Sequence, residues 1–165
     1  MKEISKSDLL DILSDCILNK DWYELEEIDF SYVDLSYTNL SGSDLQGVIF
    51  NHSQFLNADF TKAKLNKASF QYTDLSKAIM RYARMEQCNL RHAKLKQADL
   101  HRAHLQDAIL YHADLSEATL TYADLRITDL RGAEFSFADL SYVDLRGADL
   151  TGVYLADTKT KKTKF

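Results

Sequence analysis

Every fifth residue from Phe30 to Leu155 is large and apolar, and this period constrains the fold more than any other feature of the chain. The 26 positions whose numbers are divisible by five hold 18 Leu, 6 Phe and 2 Met, without exception. Two residues earlier, the same blocks hold 15 Ala, 4 Val, 3 Thr, 2 Ser, one Cys and one Ile. One residue earlier, 12 of the 26 are Asp. The consensus repeat is therefore Ala-Asp-Leu-x-x.

A period of five fits neither an α-helix nor a β-strand. On a helix, five residues advance about 500°, so the leucines would spread over every face. On a strand, every fifth residue changes sides. A chain that turns one corner per five residues keeps every Leu inside, and stacked turns of this kind form a β-solenoid.

Composition alone would favour a helical bundle, because the chain has no Pro and only 5 Gly in 165 residues. Periodicity is the stronger signal. In a solenoid, the missing Pro indicates a hydrogen-bond ladder that cannot lose a donor. The few glycines indicate corners that the repeat forms without them.

The repeats, as at Ala98-Asp99-Leu100 and Ala148-Asp149-Leu150, resemble those of the pentapeptide-repeat family. The resemblance implies an all-β fold, a right-handed quadrilateral β-helix with four pentapeptides per coil. Residues 26–157 would form about six and a half coils, a rod about 31 Å tall. Residues 1–25 are predicted to form an N-terminal α-helical cap with an apolar stripe. Residues 158–165 are predicted to be a polar, basic tail.

The last predicted coil carries bulky side chains, and no helix follows to cover it. An uncovered solenoid edge invites pairing. We therefore predict an end-to-end homodimer through this coil, as relatives in the family often form. The candidate interface residues are Phe137, Tyr142, Val153, Tyr154 and Leu155.

Two surface columns appear when residues that are 20 apart in the sequence are placed above one another on successive coils. The first reads Tyr32, His52, Tyr72, His92 and His112, with Arg91 and Tyr111 alongside. It indicates a stacked aromatic ladder or a strip that contacts a partner, whereas two histidines without a carboxylate or thiolate make a poor zinc site.

The second column indicates either a solvated face with local ion pairs or a site for an anionic partner. It contains Lys62, Lys64, Arg81, Tyr82, Arg84, His101, Arg102 and His104.

The net charge of −5 conceals an uneven distribution. Residues 56–105 carry 10 Lys or Arg against 4 Asp or Glu, whereas residues 106–157 carry 3 against 10. Most acids occupy the Asp position of the repeat, where a short carboxylate can accept hydrogen bonds from nearby backbone amides. Much of the negative charge is therefore expected to serve the fold.

No catalytic motif occurs in the chain, and Cys88 falls at an inward position, so neither an enzyme nor a cofactor is expected. No apolar run or leader predicts membrane insertion or secretion, so a cytoplasmic protein is expected.

We expect a rigid module for protein–protein interaction. The first alternative comes from the family resemblance, since some members imitate B-DNA and protect DNA gyrase, a type II topoisomerase, from quinolones. The second is direct nucleic-acid binding through the basic column.

Overall fold

The computed structural model describes residues 29–165, which wind into a solenoid. Parallel β-bridges join residues that are 20 apart, from Asp29 with Ile49 to Asp144 with Lys164, so one coil contains 20 residues. The bridges recur every five residues, which gives each coil the four sides that the family resemblance implies. Each side contributes one isolated bridge, and no longer strand or helix forms within residues 29–165. The right-handed sense stays a prediction.

The axis of the solenoid is filled by the residues that define the repeat. Every central Leu, Phe or Met from Phe30 to Leu145 is at most 2% exposed. The Ala residues two positions earlier are also buried, from Ala58 to Ala138. One continuous core therefore runs along the rod, as the period of five predicts.

Four of the five main-chain N–H groups in a repeat donate to main-chain carbonyls. The central residue and the second residue after it donate to the next coil. The third residue after it closes the turn, and the fourth donates to the previous coil. In one repeat these bonds are Leu95 to Asp114, Gln97 to Ser116, Ala98 to Leu95 and Asp99 to Ala78, at 2.7–3.0 Å.

The fifth N–H, directly after the central residue, explains why Asp recurs at one position of the repeat. In 11 of the 12 repeats with Asp before the central residue, a carboxylate oxygen accepts a hydrogen bond from this N–H, as Asp114 does from Ser116 at 2.9 Å. Where that position holds Ser69, Asn51 of the preceding coil accepts the bond from Gln71 instead, at 2.9 Å. The Asp thus completes the backbone hydrogen bonding, as the short side chain predicts.

Most corners form without glycine, as the sequence predicts. The second residue after a central residue lies in the left-handed region, with φ between 53° and 76°, at 26 of the 27 such positions from Tyr32 to Lys162, Asp157 being the exception. All five glycines of the chain lie at these positions, and the other 21 residues there are not glycine. Because this region costs an L-residue about 1–2 kcal/mol, the repeat places a conformational cost at nearly every corner.

Ile127 is the corner where relief of that cost should be measurable. It is β-branched, has a φ of 60° and is 67% exposed. Asn adopts the left-handed region more readily, so Ile127→Asn is expected to raise the free energy of unfolding by about 1 kcal/mol. Urea denaturation followed by circular dichroism measures the change.

The same substitution at Ile79 provides the control, because Ile79 is 39% exposed but lies at a bridge position. A β-branched residue is favoured in such an extended segment. Ile79→Asn should therefore lower stability. Equal effects of the two substitutions would contradict the assignment of the cost to corner geometry.

The C-terminal boundary of the solenoid differs from the predicted one. Residues 158–165, predicted as a tail, continue the ladder: Lys159 bridges Asp139 and Lys164 bridges Asp144. The N–H of Lys164 donates to the carbonyl of Val143 at 2.9 Å. The ladder uses main-chain groups, so it continues although Thr160 occupies a central position. The predicted cap at residues 1–25 lies outside the described residues.

Candidate interaction surface

The first surface column forms a continuous ring stack. Consecutive ring centroids are 4.8–5.5 Å apart and the planes differ by at most 8°. The stack, here called the aromatic column, consists of Tyr32, His52, Tyr72, His92 and His112. It ends at Gly132, where an added Cβ would lie 2.6 Å from the His112 ring. The period of 20 thus predicts which rings meet.

The two flanking residues of this column are placed differently. Tyr111 presents its ring edge-on to His112, with centroids 4.2 Å apart, and also contacts His92. Arg131, which the charge pattern does not single out, lies over the Tyr111 ring at 5.3 Å. Arg91 is half-buried, and its backbone N–H donates to Asn89. Most of these rings therefore pack against one another.

The second column also comes together as a contiguous surface, which we call the basic corner. Lys62, Tyr82 and Arg102 occupy the same corner on successive coils. Lys64 and Arg84 are paired in the adjoining ladder, and Arg81 precedes Tyr82. All six side chains are exposed. The structure thus brings these six predicted residues together.

Only part of the charge at the basic corner is compensated. The Lys64 Nζ lies 2.7 Å from Asp44 Oδ2. Arg81 pairs with Asp99, and this carboxylate raises the pKa of the Arg81 guanidinium. Within residues 29–165, the other three cations, Lys62, Arg84 and Arg102, make no ion pair. Uncompensated positive charge therefore remains on this corner.

Arg102 is held between two tyrosine rings. Its Cζ lies 5.8 Å from the Tyr82 ring centroid and 5.4 Å from that of Tyr122. His101 packs edge-on against both rings and its Nδ1 lies 2.6 Å from Thr121 Oγ1. Tyr122 is absent from the predicted surface, although its position 20 residues after Arg102 was a usable signal.

A shallow depression of about 390 Å³ lies at this sandwich. Its lining consists of Tyr82, Arg102, Ala103, His104, Tyr122 and Asp124. The depression thus combines two aromatic walls, one cation and one carboxylate.

The three arginines of the acidic half each pair with an aspartate of the same half, while the ten acids of residues 106–157 outnumber them. In three Asp-Leu-Arg triplets the carboxylate and guanidinium are 2.7–2.8 Å apart, at Asp124–Arg126, Asp129–Arg131 and Asp144–Arg146. The hydrogen bond from Arg146 lowers the pKa of Asp144 to about 2. Seven of the 13 aspartates between residues 29 and 149 are in ion pairs: 44, 99, 124, 129, 139, 144 and 149.

The predicted dimer residues occupy two different places. Phe137 and Tyr154 are each 70% exposed, and Val153 and Leu155 pack partly buried against the core. Tyr142 instead belongs to the basic side of the rod, where its ring stacks on Tyr122 at 4.6 Å, and Lys162 lies over it at 5.7 Å. Phe137 and Tyr142 therefore lie one coil before the last described coil, which contains Val153, Tyr154 and Leu155.

Cys88 is fully buried, and its thiol donates to the carbonyl of Leu65. Burial raises the pKa of this thiol, so Cys88 acts as a packing residue.

Within residues 29–165, no group of three or more His, Cys, Asp or Glu side chains is arranged to hold a metal ion. The same part of the chain contains no helix long and apolar enough to cross a membrane.

Comparisons with known proteins agree with the repeat. A family profile described as a pentapeptide repeat region matches residues 43–125 and 78–165. No curated protein matches the sequence at a significant level. Among solved structures, the plasmid-mediated fluoroquinolone resistance protein QnrB1 is 19% identical, with 85% of this chain and 84% of that chain covered and a TM-score of 0.48.

A second similar structure is HetL from the cyanobacterium Nostoc sp. strain PCC 7120, a pentapeptide-repeat protein involved in heterocyst differentiation regulation. It is 22% identical, with 97% of this chain and 94% of that chain covered and a TM-score of 0.40. The profile match spans well over half of the chain, and the coils have the four five-residue sides that the repeat requires. The chain belongs to the pentapeptide-repeat family.

Proposed function

We propose that this protein is a non-enzymatic, rigid interaction module that binds an acidic surface of another protein through the basic corner. The observation that carries the proposal is the uncompensated charge of Lys62, Arg84 and Arg102 on one corner. Positive potential on an exposed surface steers and orients an acidic partner.

The scaffold beneath this corner supports binding without a large conformational cost. The backbone of each coil is hydrogen-bonded to the coils on both sides, and the core residues under the corner, Ala83 and Ala103, are buried. A surface that is ordered before binding loses less conformational entropy when the partner docks. The corner therefore presents its cations at fixed spacing.

Charge reversal at the basic corner tests the proposal. Arg84→Glu with Arg102→Glu should abolish recovery of a specific protein in affinity capture from a nuclease-treated lysate of the source organism. Lys67→Glu with Lys77→Glu makes the same change in net charge on two other corners and should leave recovery unchanged. Equal recovery with both double variants would rule out the basic corner as the binding surface.

Direct nucleic-acid binding is the second alternative, and the same variants address it. A nucleic-acid site would retard duplex or single-stranded DNA in a salt-dependent way, and charge reversal at the basic corner would abolish the retardation. We expect no sequence-independent DNA binding at physiological salt. Retardation that only the basic-corner variant loses would replace the proposal with a nucleic-acid function.

DNA mimicry directed at gyrase is the alternative that rests on the family resemblance. Mimicry of DNA needs a continuous negative surface, whereas residues 56–105 carry 10 Lys or Arg against 4 Asp or Glu and interrupt it. We therefore expect micromolar protein to leave gyrase supercoiling unchanged, with or without a quinolone. Protection of supercoiling against the drug would favour the mimic over the acidic-partner proposal.

We also propose an end-to-end homodimer through the last coil. Its support is the incomplete burial of Leu150, Val153 and Leu155 and the 63% exposure of Phe165. Lys159, Lys161, Lys162 and Lys164 lie in the same turns, so self-association should strengthen with salt, which screens their repulsion. Light scattering should report two chains at high salt and one for Tyr154→Asp; one chain at every salt concentration would reject the dimer.

A further inference from the structure

We infer that Arg102 is the anchor of the basic corner, a pre-oriented guanidinium that binds a carboxylate side chain of the partner. The inference rests on the proposed function and deepens it, because it names one residue and one ligand chemistry within a surface of six residues. Without it, the basic corner would be a diffuse positive patch in which any cation could replace another.

Two tyrosine rings flank the Arg102 guanidinium and restrict its movement, but they leave its N–H groups free. The guanidinium lies over Tyr82 on one side and Tyr122 on the other, at 5.8 and 5.4 Å. Its N–H groups have no acceptor within residues 29–165, and the side chain is exposed. The planar edge of such a guanidinium matches the two oxygens of a carboxylate.

The other arginines of the basic corner differ from Arg102 in one respect each. The guanidinium of Arg81 already binds the carboxylate of Asp99. Arg84 is unpaired but contacts no aromatic ring within the described chain, so nothing fixes its plane. Arg102 alone among these three combines ring stacking with unused donors.

Asp124 in the lining of the depression leaves the Arg102 guanidinium available. Its carboxylate accepts hydrogen bonds from Arg126 and from Gln106, which lies 2.6 Å away, so it does not compete for Arg102. Within the described chain, Arg102 is therefore the unpaired cation of the depression, and its planar edge suits a carboxylate. The site therefore fits the side chain of an Asp or Glu on a partner protein.

The experiment titrates the full chain with an oligoglutamate peptide and follows the arginine Nε–Hε signals by NMR. The Arg102 signal should shift most. Arg102→Lys keeps the charge but loses the planar donors and should weaken binding about tenfold. The matched variant Arg84→Lys should change affinity less than about twofold, because a flexible cation is replaced by another.

Tyr122→Leu tests the positioning role of the stack without any change in charge. It should weaken peptide binding severalfold and speed the exchange with water of the Arg102 Nε–H alone, whereas loss of folding would change the exchange of the other arginines as well. A circular dichroism melt identifies any unfolded variant, and Tyr82→Leu is the second variant for that case.

The outcomes distinguish failure of the Arg102 anchor from failure of the proposed binding by the basic corner. Equal weakening by Arg84→Lys and Arg102→Lys would overturn the anchor and leave a diffuse basic patch, so the proposed function would survive. No binding of the peptide by the unmodified protein would overturn both. Tighter binding of inorganic phosphate or of a DNA oligonucleotide than of oligoglutamate would overturn the carboxylate assignment.

Discussion

Gln97→Pro is expected to lower the free energy of unfolding by at least about 3 kcal/mol, although Gln97 is an exposed surface residue. Two physical effects combine at this position. The N–H of Gln97 donates to the carbonyl of Ser116 at 2.9 Å, and proline has no N–H to replace it. Gln97 also has a φ of 59°, whereas the proline ring fixes φ near about −65°.

The control for this substitution is the residue immediately before it. Lys96 is exposed, its N–H has no main-chain acceptor within residues 29–165, and it precedes the left-handed residue of the turn. Proline is favoured at that place in a turn, so Lys96→Pro should change stability by no more than about 1 kcal/mol. Urea denaturation curves of the two variants, recorded by circular dichroism, measure the difference.

Similar destabilisation by the two prolines would show that the absence of Pro reflects a general intolerance rather than specific ladder donors. The hydrogen-bond ladder instead predicts that tolerance of proline depends on the position within each five-residue repeat. The position directly after the central residue should accept proline where no Asp or Asn accepts its N–H, as at Lys96, and the other four positions should not, because each of their N–H groups donates to a carbonyl.

Leu110→Ala is expected to lower the free energy of unfolding by about 2–5 kcal/mol. Leu110 has no exposed surface and lies in the continuous core between coils on both sides. Removal of its side chain leaves a cavity that the hydrogen-bonded backbone around it cannot close. Because each coil contacts only its neighbours, a defect in the middle weakens the coupling of the two halves. Chemical denaturation measures the loss and shows whether unfolding becomes biphasic.

Leu155→Ala makes the same change in chemistry near the end of the solenoid. Leu155 is only partly buried, so less surface leaves water when the chain folds, and the expected loss is about 1 kcal/mol. Losses of equal size at the two positions would contradict the view that stability rises from the last coil toward the middle.

The spacing of residues was enough to predict the inward face of the solenoid. A Leu, Phe or Met at every fifth position can remain inside only if the chain turns between them, and the structure confirms burial at each central position from Phe30 to Leu145. The aromatic column needed one further fact, the number of sides. The family resemblance supplied it, since a period of five alone is compatible with coils of different sizes.

Three features depend on main-chain geometry and on neighbours that a five-residue consensus does not describe. The ladder continues past Leu155 because carbonyl and N–H groups pair whatever the side chain at Thr160. The left-handed corners are occupied by residues as unlike as Ile127 and Lys162, so no side-chain pattern marks them. The compensation of Asp124 depends on Arg126, two residues away, and the Asp-Leu-Arg spacing could have been recognised.

The four-sided coil also determines which changes in length this protein could survive during evolution. Deletion or duplication of 20 residues removes or adds one whole coil and leaves every surface column in register. Deletion of five residues keeps each Leu inside but rotates all later columns by one corner, so Arg102 and Tyr122 would no longer share a corner with Tyr82. Burial of the central residues is unchanged by this rotation. A binding surface formed by side chains from several coils is lost, because those side chains no longer lie on the same corner. Selection on such a surface would therefore be visible as insertions and deletions in multiples of 20.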